Sequence, residues 1–444
     1  MISQICAKLS NKKILLLGYG KEGKSTYQFI RKYFPDMLIG IYDKNEIKDR
    51  LDKVDLYSGS SYEEILSDYE VIIKSPGIVF HSKNNKAFKK LSSQTELFLE
   101  AYRSQTIGIT GTKGKSTTSS LLYHVLRTAK KDVLLAGNIG IPVFDILEHI
   151  HEDTLIVYEM SSHQLEYVNN SPRIALHLNI YQEHLDHYGT FEKYAIAKEN
   201  IYKFQQKGDL FVYNKQFITP DRHLKADTLT ISNTSEPADI IVAKNQITYL
   251  DHHVEIDEDE ILLKGQHNIY NIGATYGIAK YLGVTDEDFM EAVTTFKPLP
   301  HRMEYVAEVE GIKFYNDSIS TICETTMQNA MSIKNVDTVI LGGMDRGIEY
   351  QPLVDFLMAS EIKNLILMPD TGLRLEKLIS NSSDQSKLEH SIYVVTNVEE
   401  AVATAKKVTR KGKTCLFSPA AASYGFFKNF EERGEVFKKF VLGT

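Results

Sequence analysis

The chain has 444 residues, of which 43% are hydrophobic and 25% are charged, and its formal net charge is −7. This length exceeds what one hydrophobic core supports and predicts two to three domains, while the ordinary composition excludes a disordered or fibrous protein. The negative charge argues against a general nucleic-acid-binding protein, because such proteins need basic surface to neutralise phosphates.

Cysteine usage and hydropathy indicate the compartment. Cys6, Cys323 and Cys415 are few and far apart, which favours a reducing compartment over a disulfide framework. The N-terminus lacks the apolar core of a signal peptide, and no stretch approaches the ~20 apolar residues of a membrane helix. We therefore expect a cytoplasmic, monomeric protein with no membrane or nucleic-acid partner.

Short apolar runs alternate with helix-period segments along the chain, a pattern typical of parallel sheets with crossover helices. In the first part, the predicted strands cover 14–17, 38–42, 71–74, 106–109, 133–136, 155–158 and 174–180. Extra β-structure is predicted over 209–263 and a helix-rich stretch over 268–296, followed by strands at 311–315, 336–341, 364–368, 391–395 and 414–417. The predicted fold class is α/β, with boundaries near residue 104, where the pattern loosens, and near 297, where two prolines occur.

The segment from Gly18 to Gly23 has the pattern Gly-x-Gly-x-x-Gly between a predicted strand and a predicted helix, and Asp43 ends the next strand. Glycines at these places permit a tight turn and a close approach of a diphosphate, which the helix N-terminus receives. The acidic residue is placed to bind a ribose hydroxyl. The pattern predicts a site for NAD or for a different diphosphate ligand, and a purely structural turn is the alternative.

The stretch Gly111-Thr-Lys-Gly-Lys-Ser-Thr117 also lies between a strand and a helix, and it carries more weight. Its backbone N–H groups can bind phosphates, Lys115 can reach the β- and γ-oxygens, and a hydroxyl can bind Mg²⁺. Ile109 takes the place of the first glycine of the strict Walker A spacing, but the Gly-Lys-Ser core is intact. We predict a P-loop that binds ATP.

Candidates for metal binding follow the P-loop. A P-loop needs an acid on a neighbouring strand, and Glu159 follows the predicted strand 155–158. His184 lies in a run rich in acids and imidazoles and is a second candidate, since imidazole also coordinates divalent ions. The alternatives are a surface glutamate and a structural histidine. Lys198 lies in a helical pattern and, by position alone, is a solvated lysine.

Taken together and in order, these motifs resemble the Mur ligase family of peptidoglycan synthesis. The resemblance covers the whole chain, through segments 75–78, 111–117, 137–140, 159–166, 184–186, 198, 265–268, 299–302, 316–318, 418–423 and 428–430. It implies three domains. A Rossmann-like domain over 1–104 binds the UDP end of the substrate, a central P-loop domain over 105–297 binds ATP, and a Rossmann-like domain over 298–444 binds an amino acid.

The resemblance also implies ligands for individual residues. ATP is bound by Gly111, Thr112, Lys113, Gly114, Lys115, Ser116, Thr117, Asn271, Arg302 and Asp317. The UDP-substrate is bound by Gly18, Gly20, Gly23, Asp43, Ser75, Gly77, Asn138, Ser161 and Gln164, so that the first loop binds UDP and not NAD. Mg²⁺ is held by Ser116, Glu159, His184 and Lys198, the last as a carbamate, and the catalytic residues are Lys115, His184 and Lys198.

The implied reaction adds D-glutamate to UDP-N-acetylmuramoyl-L-alanine through an acyl phosphate made with ATP and Mg²⁺. Ser423 and Phe430 match positions that contact glutamate, and Arg346 is a candidate for bidentate pairing with its side-chain carboxylate. Ile319 stands where such ligases usually have a lysine, so an L-glutamate-adding ligase of the same family is an alternative. Alternatives from other classes are an NAD-dependent oxidoreductase, based on the first loop, and a nucleotide-binding module without catalysis.

Overall fold

The computed structural model describes residues 1–59, 61–80, 85–137, 141–220, 222–234, 236–381 and 390–443. Within these residues the chain forms three β-sheets of five, nine and six strands, in which parallel neighbours predominate. The predicted α/β fold class is confirmed.

The first sheet contains β1 (Ile14–Leu17), β2 (Ile39–Asp43), β3 (Val54–Ser58), β4 (Val71–Lys74) and β5 (Leu91–Ser92). The same part of the chain contains α1 (Ile2–Leu9), α2 (Lys21–Tyr33), α3 (Asn85–Phe88) and α4 (Gln94–Tyr102). The strand order is β3-β2-β1-β4-β5 and all pairs are parallel. The middle strand β1 is buried at every residue and leads directly into the first glycine loop.

The second sheet contains β6 (Thr106–Thr110), β7 (Val133–Gly137), β8 (Leu155–Glu159), β9 (Ile174–His177), β10 (Leu210–Asn214), β11 (Asp227–Ser232), β12 (Ile240–Val242), β13 (Gln246–Tyr249) and β14 (His252–Glu255). Its order is β14-β13-β12-β11-β10-β9-β6-β8-β7. The helices of this part are α5 (Lys115–Thr128), α6 (Ser162–Leu165), α7 (Leu185–Tyr188), α8 (Phe191–Lys203), α9 (Gln266–Tyr281) and α10 (Asp286–Thr295). The extra β-structure predicted over 209–263 is confirmed, and its last pairs, β12–β13 and β13–β14, are antiparallel.

The third sheet contains β15 (Glu304–Val309), β16 (Ile312–Asn316), β17 (Val336–Gly342), β18 (Asn364–Met368), β19 (Ser391–Val394) and β20 (Thr414–Phe417), in the order β15-β16-β20-β17-β18-β19. Helices α11 (Cys323–Ser332), α12 (Gln351–Ala359), α13 (Thr371–Ser380), α14 (Val398–Val408) and α15 (Phe430–Leu442) alternate with the strands. Among the described strands of this sheet, only β15 forms an antiparallel pair, with β16. The strand β15 was not predicted from the sequence.

Two predicted bounds differ from the structure near the P-loop. Helix α5 begins at Lys115 and not at residue 118, because Gly114, at φ +85°, lets the chain turn into the helix at once. Strand β9 ends at His177 and not at residue 180, and beyond it Asn179 and the Tyr181 N–H bond to Thr112 of the P-loop.

The chain divides into two compact units. The first contains Met1–Asp257 and Tyr270–Thr295, and the second contains Glu258–Ile269 and Phe296–Thr444. The first two sheets share a core within the first unit, where Phe29 of α2 lies 4.7 Å from Phe144 and Phe98 of α4 lies 5.7 Å from Tyr158 of β8, measured between ring centroids. The predicted division into three domains over 1–104, 105–297 and 298–444 stays a prediction. Among the described residues, no helix combines the length and the apolar character needed to cross a membrane.

Candidate active site

The second glycine loop is held in shape by an asparagine that we did not predict. The Oδ1 atom of Asn179 accepts the backbone N–H groups of Thr112 at 3.1 Å and Lys113 at 2.9 Å, and its Nδ2 donates to the Lys113 carbonyl at 3.1 Å. Gly111 and Gly114 have φ angles of +159° and +85°. The loop therefore enters α5 in a fixed shape, with the helix N-terminus available to an anion.

Two lysines meet at one carbonyl oxygen of this loop. Lys115 Nζ donates to the carbonyls of Gly111 at 2.9 Å and Thr112 at 3.0 Å. Lys198 Nζ, on α8, donates to the same Gly111 oxygen at 2.9 Å and to Thr110 Oγ1 at 3.1 Å. Because both nitrogens lie within hydrogen-bond distance of one atom, they are no more than about 6 Å apart.

Lys198 is a buried residue, with 1% of its surface exposed. Burial, and then the charge of Lys115, lower the pKa of Lys198 well below its usual range. Its Nζ also lies 5.1 Å from the ring centroid of Tyr194, whose hydroxyl is 2.9 Å from Thr112 Oγ1. The interpretation of Lys198 as a solvated lysine is therefore wrong.

Glu159 ends β8 with its side chain fully buried, opposite Ile109 of β6 in the parallel register. Ser119 Oγ, in the second turn of α5, donates to Glu159 Oε2 at 3.5 Å. The alternative of a surface glutamate is therefore wrong. Ser116, in the first turn of the same helix, is also buried.

His184 lies at the start of α7, in the left-handed region at φ +57°. Its ring packs edge-on against His163, with centroids 4.8 Å apart, and its Nε2 lies 3.7 Å from Glu183. Burial, opposed by Glu183 and assisted by Lys115, lowers the pKa of His184 from its usual value. A neutral imidazole can ligate a metal ion.

The donors of this region fit a metal ion that is shared with a ligand. No group of three His, Cys, Asp or Glu side chains within the described ranges is arranged so that it could hold a metal ion by itself. Mg²⁺ is commonly bound through one or two carboxylates together with substrate phosphates and water. A buried carboxylate beside a phosphate-binding loop meets that requirement, and an all-protein metal cage is not seen among the described residues.

Asn271 of α9 lies directly against the P-loop. A Cβ atom placed on Gly114 would lie 2.6 Å from Asn271 Oδ1, so the Asn271 side chain lies close to this turn. The structure thus places Asn271, a predicted ATP-binding residue, beside the predicted P-loop.

The first glycine loop and Asp43 also come together. The carboxylate of Asp43 accepts the backbone N–H of Tyr19 at 2.8 Å, and Ser75 Oγ donates to the Gly18 carbonyl at 3.0 Å. Gly18 has φ +101°, and a Cβ on Gly23 would lie 2.1 Å from the Gly18 oxygen. Two of the three glycines are thus required by the turn itself, whichever ligand it binds.

The remaining residues of the predicted UDP-substrate set are less tightly placed. Gly20 precedes α2 and Gly77 follows β4, and a Cβ on either would meet no atom within 4 Å among the described residues. Asn138 lies outside the described residues.

Ser161 and Gln164 form a capping box at the start of α6. Gln164 Nε2 also donates at 2.6 Å to Glu22 Oε1, within the first glycine loop. Burial, opposed by Gln164 and then by Lys74, raises the pKa of Glu22 to about 7. A hydrogen bond therefore joins Gln164, a predicted UDP-substrate residue, to the first glycine loop.

Arg302 and Asp317 lie in the second unit. The Asp317 carboxylate is fully buried and accepts Asn329 Nδ2 at 2.6 Å and Ser418 Oγ at 2.7 Å, and burial raises its pKa. Burial, and then the charge of Arg302, lower the pKa of His267 to about 4. The nucleotide contacts expected of Arg302 and Asp317 stay predictions.

The residues predicted to contact glutamate follow two strands of the third sheet, Arg346 after β17, and Ser423 and Phe430 after β20. An isolated bridge between Met344 and Ala422 holds the loop after β17 against the loop after β20. Within these loops, Arg346 is exposed and its Nη2 donates to the Thr321 carbonyl at 3.1 Å. The predicted set is Arg346, Ser423 and Phe430.

A buried arginine that we did not predict joins the loops of this sheet. Arg433 of α15 is 1% exposed; its Nε and Nη2 donate to Oγ and O of Ser318 at 3.0 and 2.7 Å, and its Nη1 donates to the Ala421 carbonyl at 3.0 Å. Burial, opposed by the charge of Asp317, lowers the pKa of Arg433 to about 10. Its guanidinium is directed at the backbone beside Ile319, where the expected lysine is missing.

Comparison with known proteins identifies the family. Residues 109–279 match the Mur ligase middle domain. The chain is 33% identical over 447 residues to the UDP-N-acetylmuramoylalanine--D-glutamate ligase of Clostridium botulinum, which covers 97% of this chain and 96% of that protein. It is 34% identical over 451 residues to the ligase of the same name from Caldanaerobacter subterraneus, at 98% and 99% coverage.

This chain belongs to the Mur ligase family.

Solved structures of Mur ligases have the same fold at low sequence identity. The MurC ligase of Thermotoga maritima is 17% identical, with a TM-score of 0.60, and the similarity covers 98% of this Mur ligase and 100% of that chain. The MurF ligase of the same organism, solved in complex with ADP, is 17% identical with a TM-score of 0.59, at 98% and 97% coverage.

Proposed function

We propose that this Mur ligase joins D-glutamate to UDP-N-acetylmuramoyl-L-alanine at the expense of ATP, in the synthesis of peptidoglycan precursors in the cytoplasm. The observation that carries the proposal is the P-loop with two lysines, Lys115 and Lys198, on one carbonyl oxygen. The names of relatives about one third identical over nearly the whole chain support the same reaction. Domains over 1–104, 105–297 and 298–444 bind the UDP end, ATP and glutamate, in that order.

In the proposed reaction, a carboxylate oxygen of the UDP-substrate attacks the γ-phosphorus of ATP, giving an acyl phosphate and ADP. The amine of glutamate then attacks the acyl carbon, phosphate leaves, and the amine loses a proton as the amide forms. Phosphoryl transfer is catalysed mainly by positioning and charge neutralisation. Lys115 and the N-terminal N–H groups of α5 supply positive charge, and Asn271 lies at the same loop.

Mg²⁺ fits this scheme as an ion bound jointly by protein and nucleotide. Ser116 and Glu159 would hold one ion, and His184 with a carbamate of Lys198 would hold a second. Bound Mg²⁺ neutralises charge on phosphate oxygens. The buried Glu159 carboxylate at the P-loop supports the first ion.

The carbamate follows from the electrostatics of the two lysines. Two ammonium groups on one oxygen repel each other, and Lys198 is also buried, so Lys198 loses its proton readily. The lone pair of the neutral amine then forms an N–C bond to CO₂, one C=O electron pair moves onto oxygen, and the released proton goes to solvent. The product is an anion beside Lys115, which converts a repulsion into an attraction and supplies a metal ligand.

The identity of the amino acid depends on the third sheet. Arg346 is proposed to pair with the side-chain carboxylate of glutamate, while Ser423 and Phe430 contact the rest of the molecule. Because Ile319 stands in place of the usual lysine, L-glutamate is the second candidate substrate after D-glutamate.

Phosphate release tests the proposal. Purified protein is incubated with ATP, Mg²⁺ and UDP-N-acetylmuramoyl-L-alanine, with D-glutamate and L-glutamate in parallel wells. We expect release with D-glutamate, and release with L-glutamate alone would select the second candidate. No release with either isomer would refute the proposed reaction, and NADH binding measured by fluorescence would favour an oxidoreductase.

Two variants test the roles of the lysines. Lys115→Ala is expected to lower kcat by at least about 100-fold, because charge stabilisation at the transferred phosphoryl group is lost. Turnover that survives this change would contradict the P-loop role. Lys198→Ala is expected to lower activity strongly without restoration by bicarbonate, and unchanged activity would refute its role. Sedimentation near the chain mass of 50.4 kDa would support the proposed monomer.

A further inference from the structure

Besides Lys198, a second buried polar side chain lies beside the P-loop, that of His177, and the proposed reaction gives it no role. His177, the last residue of β9, is 1% exposed. Within the described part of the chain, neither Nδ1 nor Nε2 of this imidazole has a hydrogen-bond partner. Native proteins leave few buried polar groups unpaired, and each exception calls for an explanation.

The sheet register places His177 beside the buried lysine. Its Cα is paired with that of Thr110 on β6, and Thr110 Oγ1 accepts the hydrogen bond of Lys198 Nζ at 3.1 Å. Burial, and then the charges of Lys198 and Lys115, lower the pKa of His177 well below its usual range. The ring is therefore neutral and offers one N–H donor and one acceptor.

The groups around His177 explain why its N–H lacks a hydrogen-bond acceptor. Lys115 and Lys198 direct their Nζ atoms at the Gly111 carbonyl, where both act as hydrogen-bond donors. An oxyanion at this place would accept hydrogen bonds from Lys115 and from the imidazole. It would also offset the positive charge of Lys115 beside this buried region.

We infer that His177 is a positioning residue that donates a hydrogen bond to an oxyanion formed or bound beside Lys198. The inference rests on the proposed function, which supplies two sources for that oxyanion: the carbamate on Lys198 and a phosphate oxygen of ATP. In either case the imidazole fixes the oxyanion and does not touch the substrate carboxylate.

The decisive variant is His177→Leu, which replaces the imidazole with an apolar side chain of similar length and so removes both ring nitrogens. Carbamate is measured by ¹³C NMR of the full chain in ¹³C-bicarbonate without nucleotide. Binding of a non-hydrolysable ATP analogue is measured by calorimetry. A hydrogen bond to a charged group is worth about tenfold or more in an equilibrium constant.

Two results support the inference and identify the source. At least about tenfold less carbamate with unchanged nucleotide affinity assigns the hydrogen bond to the carbamate, and the reverse pattern assigns it to a phosphate oxygen. If the carbamate is the source, His177→Leu has no further effect in a Lys198→Met background. His177→Gln, which keeps one donor, is expected to retain more of the affected signal than His177→Leu.

Other results overturn the inference. Carbamate and nucleotide affinity both unchanged in His177→Leu would show that the imidazole serves neither oxyanion. Equal losses in His177→Leu and His177→Gln, with a lower melting temperature in both, would assign a structural role. Thr118→Val, which also removes a buried hydroxyl without a partner among the described residues, is the matched control and should keep both signals. Turnover of the unmodified protein tests the proposed function separately.

Discussion

Replacement of the buried Arg433 by methionine is expected to destabilise the second unit strongly. The change removes three hydrogen bonds, at 3.0, 2.7 and 3.0 Å, and leaves the Ser318 and Ala421 carbonyls without their donor. Each buried acceptor left unpaired costs ~1–3 kcal/mol. The change also removes the positive charge that acts on the buried Asp317. We expect a loss of about 3–5 kcal/mol in the free energy of unfolding, the range seen when one partner of a buried charged network is removed.

Hydrogen exchange of the amides in β16 and β20 measures this loss within the second unit. Urea unfolding followed by circular dichroism gives the same quantity for the whole chain, which has no tryptophan to report by fluorescence. Lys439→Met makes the same kind of change on an exposed position of the same helix, α15, and should stay within about 0.5 kcal/mol of the unmodified protein. If Arg433→Met and Lys439→Met differ by less than ~1 kcal/mol, the reasoning from buried carbonyls is wrong.

Three further predictions concern the glycine loop, its acid and the glutamate site. Gly23→Ala should lower the unfolding midpoint in urea clearly, because its Cβ would meet the Gly18 oxygen at 2.1 Å, whereas Gly20→Ala should be tolerated; equal midpoints would contradict this close approach within the turn. Burial raises the pKa of Glu22 to about 7, so the folded state binds more protons than the unfolded state between about pH 4.5 and 7, and stability falls as pH rises through that window. Glu22→Gln should therefore gain ~1–3 kcal/mol over the unmodified protein at pH 8 and nothing at pH 4, as measured by urea unfolding. Arg346→Met should raise the KM for glutamate by about tenfold or more with the KM for ATP unchanged, and an unchanged glutamate KM in initial-rate assays would remove Arg346 from that site.

The two glycine loops were predictable because their signal is local. Gly18 and Gly114 have φ angles of +101° and +85° between a strand and a helix, and such turns favour glycine strongly. The strands before them are short and fully buried, and β1 is apolar at every residue, which a sequence pattern predicts well. The order of strands within each sheet was not predicted, since it depends on contacts between distant segments.

The groups that the sequence did not reveal act over long separations. Asn179 binds the P-loop across 66 residues, and Arg433 reaches Ser318 across 115. A helical pattern shows that Lys198 is on α8 but not which sheet that helix covers, so its burial could not be inferred from the pattern. His177 resembles any residue of a buried strand until the strand beside it is known.

Around α9, the order of segments along the chain differs from their assignment to the two compact units. Residues Glu258–Ile269 belong to the second unit, although they precede Tyr270–Thr295 of the first. In that segment, Asp259 pairs with Lys334 at 2.7 Å, and a Cβ on Gly265 would lie 2.6 Å from Ser332 Oγ. A fragment that starts at Phe296 would therefore lack part of its own packing surface. Production of the second unit alone therefore requires that residues 258–269 be joined to it, because no single cut of the chain separates the two units.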